Sequence, residues 1–288
     1  MSWDDIGNAL WGGASQYGAI FELVSNSVLA GAVLGLVGGL VGVFVMQRDM
    51  AFAVHGISEL SFAGAAAALL FGFDVLTGSI LGSLVAAAII GWLGGRARDR
   101  NSIIGVLMPF GLGLGILFLS LYSGRSANRF SLLTGQIVSV QSGQLTWLIV
   151  ISIVVLVGLL VIWRPLRFDS LDPESAAARG VPTTFVSLAF MLLLGLIVAV
   201  SVHIIGALLV LALLVTPAAA AMRVAHGPIA VPLLAAGFGF VSAVGGILLA
   251  IAGTLPVSPY ITTISFVIYL VCRVVGSRRG RVRTLAAR

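Results

Sequence analysis

No lysine occurs among the 288 residues, and all 16 basic residues are arginine. A Walker A phosphate loop needs its lysine to reach the nucleotide phosphates, so ATP hydrolysis by that route has no home in this chain. Charge of either sign is scarce: charged residues are 9% of the sequence, against roughly 25% in a soluble globular domain. With 59% hydrophobic residues and a mean hydropathy of +1.15, the chain is excluded from the ordinary soluble classes and belongs in a lipid bilayer. The one cysteine, Cys272, rules out an internal disulfide and is silent about compartment. Three histidines, with His226 in a loop beside Arg223, leave little material for catalysis. There is no Ser/His/Asp constellation, no Cys-x-x-Cys and no His-Glu-x-x-His. The chain reads as a non-enzyme with no resident cofactor.

The net charge of +6 gathers at the C-terminus in Arg273, Arg278, Arg279, Arg281, Arg283 and Arg288. Such a tail suits anionic lipid headgroups better than nucleic acid, and no nucleic-acid partner is expected. The N-terminal stretch lacks the basic start of a cleaved signal peptide. Residues 1–21, with Asp4, Asp5, Trp3, Trp11 and Tyr17, are expected to lie at the membrane interface, where indole and phenol rings prefer to sit.

What remains is apolar and periodic only in its interruptions. Hydropathy predicts an all-α polytopic membrane protein forming one transmembrane domain over 1–288. It has about nine spans, within a range of eight to ten: 23–46, 50–73, 75–94, 102–122, 146–163, 184–202, 204–222, 230–252 and 259–275. The pairs 50–73/75–94 and 184–202/204–222 are so close-set that either reads equally as one broken helix, which would lower the count to eight. With the C-terminus cytoplasmic and the N-terminus outside, only Arg125 and Arg129 fall outside, and Arg48, Arg96, Arg98, Arg100, Arg164, Arg167, Arg179, Arg223 and the tail at 276–288 fall inside. That satisfies the positive-inside rule. In the first span Gly31, Gly35 and Gly39, and again Gly38 and Gly42, form small-residue stripes suited to close helix packing. Gly111, Gly113 and Gly115 alternate instead and mark the fourth span as flexible or kinked.

The cytoplasmic loop at 164–182, RPLRFDSLDPESAAARGVP, carries its own helix signals. Asp172 is placed to cap, Pro173 to open and Glu174 to complement a short helix, and Gly180 with Pro182 ends it. Glu174, Ala177 and Arg179 then stand on a docking surface for a cytoplasmic partner, unless the segment is only a solvated connector.

Ionisable residues inside spans cost roughly 2.5–3.5 kcal/mol each on insertion scales and are functional candidates by default. His55 and Glu59 stand four apart on one helix face, with Ser58 able to join them and Glu59 near mid-span. Glu59 needs a partner: a bound divalent cation, a proton shared with His55, or a hydrogen bond to another helix. Imidazole with carboxylate suits zinc, manganese or ferrous iron, and two ligands leave the shell incomplete, as release of a transported ion requires. A structural pair locking two helices, or a proton relay in a proton-coupled secondary transporter, fits the same two residues. His203 sits at the junction of the sixth and seventh spans, Asp74 at an outer span end and Asp49 at an inner one.

Four segments resemble the membrane permease subunits of ABC importers for zinc, manganese and related divalent metals. They are Arg48-Asp49-Met50-Ala51-Phe52 leading to the polar pair, LLTGQIVSVQSGQL at 132–145, FDSLDPESAAARGVP, and HIIGALLVLALLVTPAAAAMR. The resemblance runs over residues 25–275, and its last two segments are the more specific. It departs at the site, where the family's Asp followed four residues later by His is replaced by His55 then Glu59, the same two chemistries in reverse order. The resemblance implies a type II ABC importer-like permease of the cell membrane, paired as a homodimer. Two cytoplasmic ATPase subunits bind the ATP and dock on the 172–180 segment, and an extracellular metal-binding protein delivers the ion.

Overall fold

The computed structural model describes residues 24–94, 97–124, 137, 140–252 and 256–286. The interfacial segment expected at 1–21, together with Arg96, Arg125 and Arg129, lies outside the described residues, as does most of the 132–139 stretch. Among the described residues there are ten helices and no strand: α1 (Ser25–Gln47), α2 (Ala51–Phe71), α3 (Val75–Leu93), α4 (Ala97–Leu121), α5 (Ser142–Leu171), α6 (Pro173–Ala178), α7 (Thr183–Ile205), α8 (Ala207–Val224), α9 (Ala230–Ala252) and α10 (Val257–Ala286). Helix is the expected solution, because only hydrogen bonds closed within the segment satisfy the backbone in hydrocarbon. Eight of these helices are long and apolar enough to cross a membrane, and α8 is a shorter apolar helix.

Both close-set pairs are separate helices with a defined break. Gly72 (φ 76°) closes α2 in the left-handed region, and Asp74 then caps α3 by accepting from the Thr77 amide and hydroxyl, both at 2.8 Å. Gly206 (φ 82°) separates α7 from α8, a conformation open to glycine because it lacks a Cβ. Two boundaries differ from expectation. The fifth helix does not end near 163 but runs through Pro165 to Leu171. Its extra turns are held by the fully buried Leu166, the buried Asp169 and a Ser170 hydroxyl donating to the Leu166 carbonyl. These contacts outweigh the single backbone donor that proline removes. At the far end, 276–286 continues α10 rather than forming a separate tail.

Two compact units divide the chain. The described parts of Met1–Met46, Ile137–Leu145 and Ala212–Arg288 form one, and those of Gln47–Gln136 and Thr146–Leu211 form the other. In the first, the glycine stripe of α1 packs as its spacing predicts. A Cβ on Gly35 would strike the Gly239 backbone of α9, and a Cβ on Gly239 would strike Gly35 in return. Gly42 meets the Leu214 carbonyl of α8 in the same way. In the second unit, Gly64 of α2 and Gly78 of α3 approach backbone to backbone. A serine chain sews the same helices together, the Ser61 and Ser79 hydroxyls lying 2.7 Å apart and Ser79 donating to the Ala199 carbonyl of α7 at 3.1 Å. Interhelical hydrogen bonds among small residues replace the hydrophobic drive that lipid cannot supply.

Helix α4 is not interrupted by its alternating glycines. Gly111 and Gly115, one turn apart, face α2, where a Cβ on Gly111 would stand 3.0 Å from the Glu59 carbonyl carbon and one on Gly115 would enter the Phe62 ring; Gly113 faces open space. The alternation is one close-packing stripe plus one bystander, and the helix runs unbroken through these glycines and Pro109 to Leu121.

Candidate metal site and coupling helix

Helix α2 places His55 and Glu59 one turn apart on the same face, with His55 Nε2 3.5 Å from Glu59 Oε1. Glu59 is nearly enclosed, its side chain 7% exposed, whereas His55 is 28% exposed. Enclosure follows from sequence on both sides: α2 carries Gly56, against which Ile104 of α4 packs, and α4 offers Gly111 where α2 carries Glu59. The ring nitrogen His55 Nδ1 is buried with no hydrogen-bond partner among the described residues. The Ser58 hydroxyl does not join the pair but donates to the His55 carbonyl at 2.8 Å. Among the described residues, no cluster of three or more His, Cys, Asp or Glu side chains gathers here or elsewhere. The arrangement offers one imidazole and one carboxylate converging from a single helix, at mid-depth of a span.

Asp74 caps α3, and His203 stands in the last turn of α7. The Asp74 carboxyl is held below the usual carboxylate range by the Thr77 amide and hydroxyl, with a smaller electrostatic contribution from His203. Sequence reading treated the two residues separately. Their helices, α3 and α7, pack side by side, a pairing that no local pattern announces.

The 172–180 segment folds as its residues dictate. Asp172 caps α6, accepting from the Ser175 amide at 3.0 Å and from the Ser175 hydroxyl, while Pro173 takes the first helical position. Two bonds close the helix: Gly180 donates to Ala177 and Val181 to Ala176. This is the Schellman pattern, with Gly180 at φ 81°. Ala176 is fully buried, so Glu174, Ala177 and Arg179 are left exposed. The Arg179 guanidinium stacks over the Phe168 ring at 5.4 Å, fastening α6 to the end of α5.

A polar cluster that sequence reading missed lies beside this helix. Arg48 Nη1 pairs with Asp169 Oδ2 at 2.5 Å, with side chains 10% and 4% exposed, and Nη2 donates to the Ser187 hydroxyl of α7 at 3.0 Å. Arg100 donates to the Arg48 carbonyl at 2.9 Å. The only signal in the sequence was that Arg48 and Asp169 fall at the same end of their spans.

Apolar helices long enough to cross a membrane, a His–Glu pair whose carboxylate is buried within one of them, and an exposed, capped helix between spans define a polytopic membrane protein. Residues 20–276 match the ABC 3 transport family, and the chain belongs to that family. It is 28% identical to the manganese transport system membrane protein MntC of Halalkalibacterium halodurans, over 79% of this chain and 78% of that protein. It is 29% identical to the manganese import system permease protein ScaB of Streptococcus gordonii, over 87% and 90%, and 27% identical to the high-affinity zinc uptake system membrane protein ZnuB of Buchnera aphidicola, over 88% and 98%. The structure superimposes on PsaBC from Streptococcus pneumoniae, solved in complex with Fab, with a TM-score of 0.80 and 25% identity, covering 90% of this chain and 95% of that one. Membership in an ABC permease family leaves the proton-coupled secondary transporter without support.

Proposed function

We propose that this chain is the membrane permease of an importer for a divalent metal ion, zinc or manganese, working as a homodimer with N-terminus outside and C-terminus cytoplasmic. A separate ATPase subunit on each half supplies the hydrolysis, and an extracellular metal-binding protein hands over the ion. The observation that carries this reading is the His55–Glu59 pair, 3.5 Å apart with its carboxylate buried within the span, in a chain whose relatives are named for manganese and zinc transport. A carboxylate at that depth is costly without a partner, and a dication supplies one while accepting the imidazole as second ligand. Two protein ligands give a shell that the ion can leave, and a twofold arrangement of permeases supplies the pair twice around one pathway. In this scheme α6 docks into the ATPase, presenting Glu174, Ala177 and Arg179, with Asp172, Pro173 and Gly180 setting its direction.

The test is metal accumulation in a strain that depends on this transporter. His55→Ala and Glu59→Gln are each expected to abolish uptake while the protein remains inserted and co-purifies with its ATPase. Normal accumulation by both variants removes the site; loss of folded protein favours a structural pair.

A further inference from the structure

One side chain bridges the two helices that lead into and out of the short helix α6. Asp169 and Ser170 stand in the last turn of α5, just before the Asp172 cap, and Ser187 stands in the second turn of α7, just after the Gly180 stop. Arg48 reaches all three: Asp169 and Ser170 through Nη1, Ser187 through Nη2. Its guanidinium also lies 6.0 Å over the Phe190 ring of α7. The backbone of the same residue leads directly into α2. Asp49 turns the chain at φ 53°, Met50 is fully buried, and α2 starts at Ala51. His55 follows about two helical turns beyond Arg48, and Arg100 fixes the Arg48 carbonyl from α4.

We infer that the Arg48–Asp169 pair is the linkage through which α6 moves the metal-bearing helix α2, so that Arg48 is a positioning residue for transport. The inference rests on the reading of α6 as the ATPase dock and of His55 and Glu59 as the metal site. Energetics favour a linkage over a simple staple. A buried ion pair contributes little net stability against apolar residues of the same volume, and its best-attested use is to set register or serve a switch. The surroundings leave space for a second register. A half-open pocket of about 350 Å³, walled in part by Arg48, Asp169, Pro173, Thr183 and Ser187, lies against the pair, so on that side it faces free space rather than close packing. Arg48 Nε and Arg100 Nε find no hydrogen-bond partner among the described residues, so an acceptor displaced along the cluster meets a waiting donor. The planar fork also matters, because lysine offers no second arm with which to hold α5 and α7 together.

The experiment uses permease and ATPase reconstituted together in liposomes, with zinc or manganese as the probe. Arg48→Ala, Arg48→Lys and Asp169→Asn are compared with wild type for four properties: metal binding to the permease, ATPase association, basal hydrolysis, and hydrolysis and uptake driven by the loaded binding protein. Driven hydrolysis and uptake are expected to fall by about 5- to 150-fold, the usual span of coupling between sites, with metal binding, association and basal hydrolysis staying within about twofold. A reporter at Phe52→Cys in a Cys272→Ser background is expected to lose its nucleotide-dependent signal in the same variants, a readout that a purely structural bridge would not move. Wild-type coupling in all three variants overturns the linkage. So does a parallel loss of metal binding or assembly in all three, which would make the pair a structural staple. Failure of the underlying reading shows separately, as wild-type permease that binds no metal or no ATPase.

Discussion

Gly111 of α4 lies against Glu59 of α2 so closely that a Cβ on it would stand 3.0 Å from the Glu59 carbonyl carbon and the Leu60 nitrogen. The position of the carboxylate therefore depends on a hydrogen atom in the neighbouring helix. Gly111→Ala is expected to push α4 off α2, destabilise the fold by the roughly 1–3 kcal/mol typical of overpacking, and depress metal uptake. Gly113→Ala, which meets nothing within 4 Å, serves as the control. It is expected to leave uptake unchanged and, by helix propensity, to stabilise α4 by up to about 1 kcal/mol. Thermal unfolding in detergent and uptake assays read the two effects; equal behaviour of both variants would show that the α2–α4 contact does not position the site.

At α6, the proposed ATPase dock, Gly180→Val and Glu174→Arg are expected to weaken ATPase association or transport-coupled hydrolysis, with metal binding intact. The valine is the more severe. Space is not the obstacle, since nothing lies within 4 Å of Gly180, but a left-handed conformation costs an L-residue roughly 1–2 kcal/mol, and the Schellman closure would be reset. Arginine at 174 puts positive charge at the positive end of the helix dipole and reverses the charge shown to the partner. ATPase pull-down and hydrolysis in reconstituted membranes check both, and wild-type coupling in the two variants would move the dock to the 96–100 cluster or the 223–229 loop.

The cap of α6 is expected to be acid-sensitive in a defined direction. The Ser175 hydroxyl, and then the Ser175 amide, hold the Asp172 carboxyl below the usual carboxylate range. A carboxyl lowered in the folded state lends its stabilisation fully above the unfolded pKa, about 3.9 for aspartate, and loses it as pH falls through the lowered folded value. The Ser175 amide resonance in lipid nanodiscs is therefore expected to hold steady from pH 7 to about 5 and to move only below about 4, and Asp172→Asn is expected to abolish that titration. Movement centred near pH 6 would assign the cap to another group.

Orientation is tested with cysteines at Ser2 and Ala287 in a Cys272→Ser background. An impermeant thiol reagent is expected to label them from opposite faces, Ser2 from outside, because fourteen of the 16 arginines fall on one side when the spans alternate. Labelling from one face would mean an even number of crossings and would make the shorter α8 the first candidate for a helix that does not cross.

How much was legible can be followed residue by residue. The nine apolar stretches became helices because a backbone in hydrocarbon has no other local solution, so hydropathy alone located them. The α6 cap, opening proline and closing glycine were readable because each acts within four residues of itself. The His55–Glu59 pair was readable because helical periodicity places it on one face. By contrast, nothing local showed that the fifth helix runs on past 163 through Pro165 to Leu171, because Asp169 in its last turn is held by Arg48, far away in the chain.

The sequence by itself thus determined the membrane class, the helices, the capped loop helix and the polar pair, all of which depend on composition or on interactions one helical turn long. Only the tertiary structure decided which helix packs against Glu59, that α3 lies beside α7, and that Arg48 pairs with Asp169 across 121 positions of the chain. Those contacts depend on how apolar helices choose neighbours. In lipid that choice is made by the fit of small residues and a few hydrogen bonds rather than by hydrophobicity, and fit is a property of two surfaces that no single stretch of sequence contains.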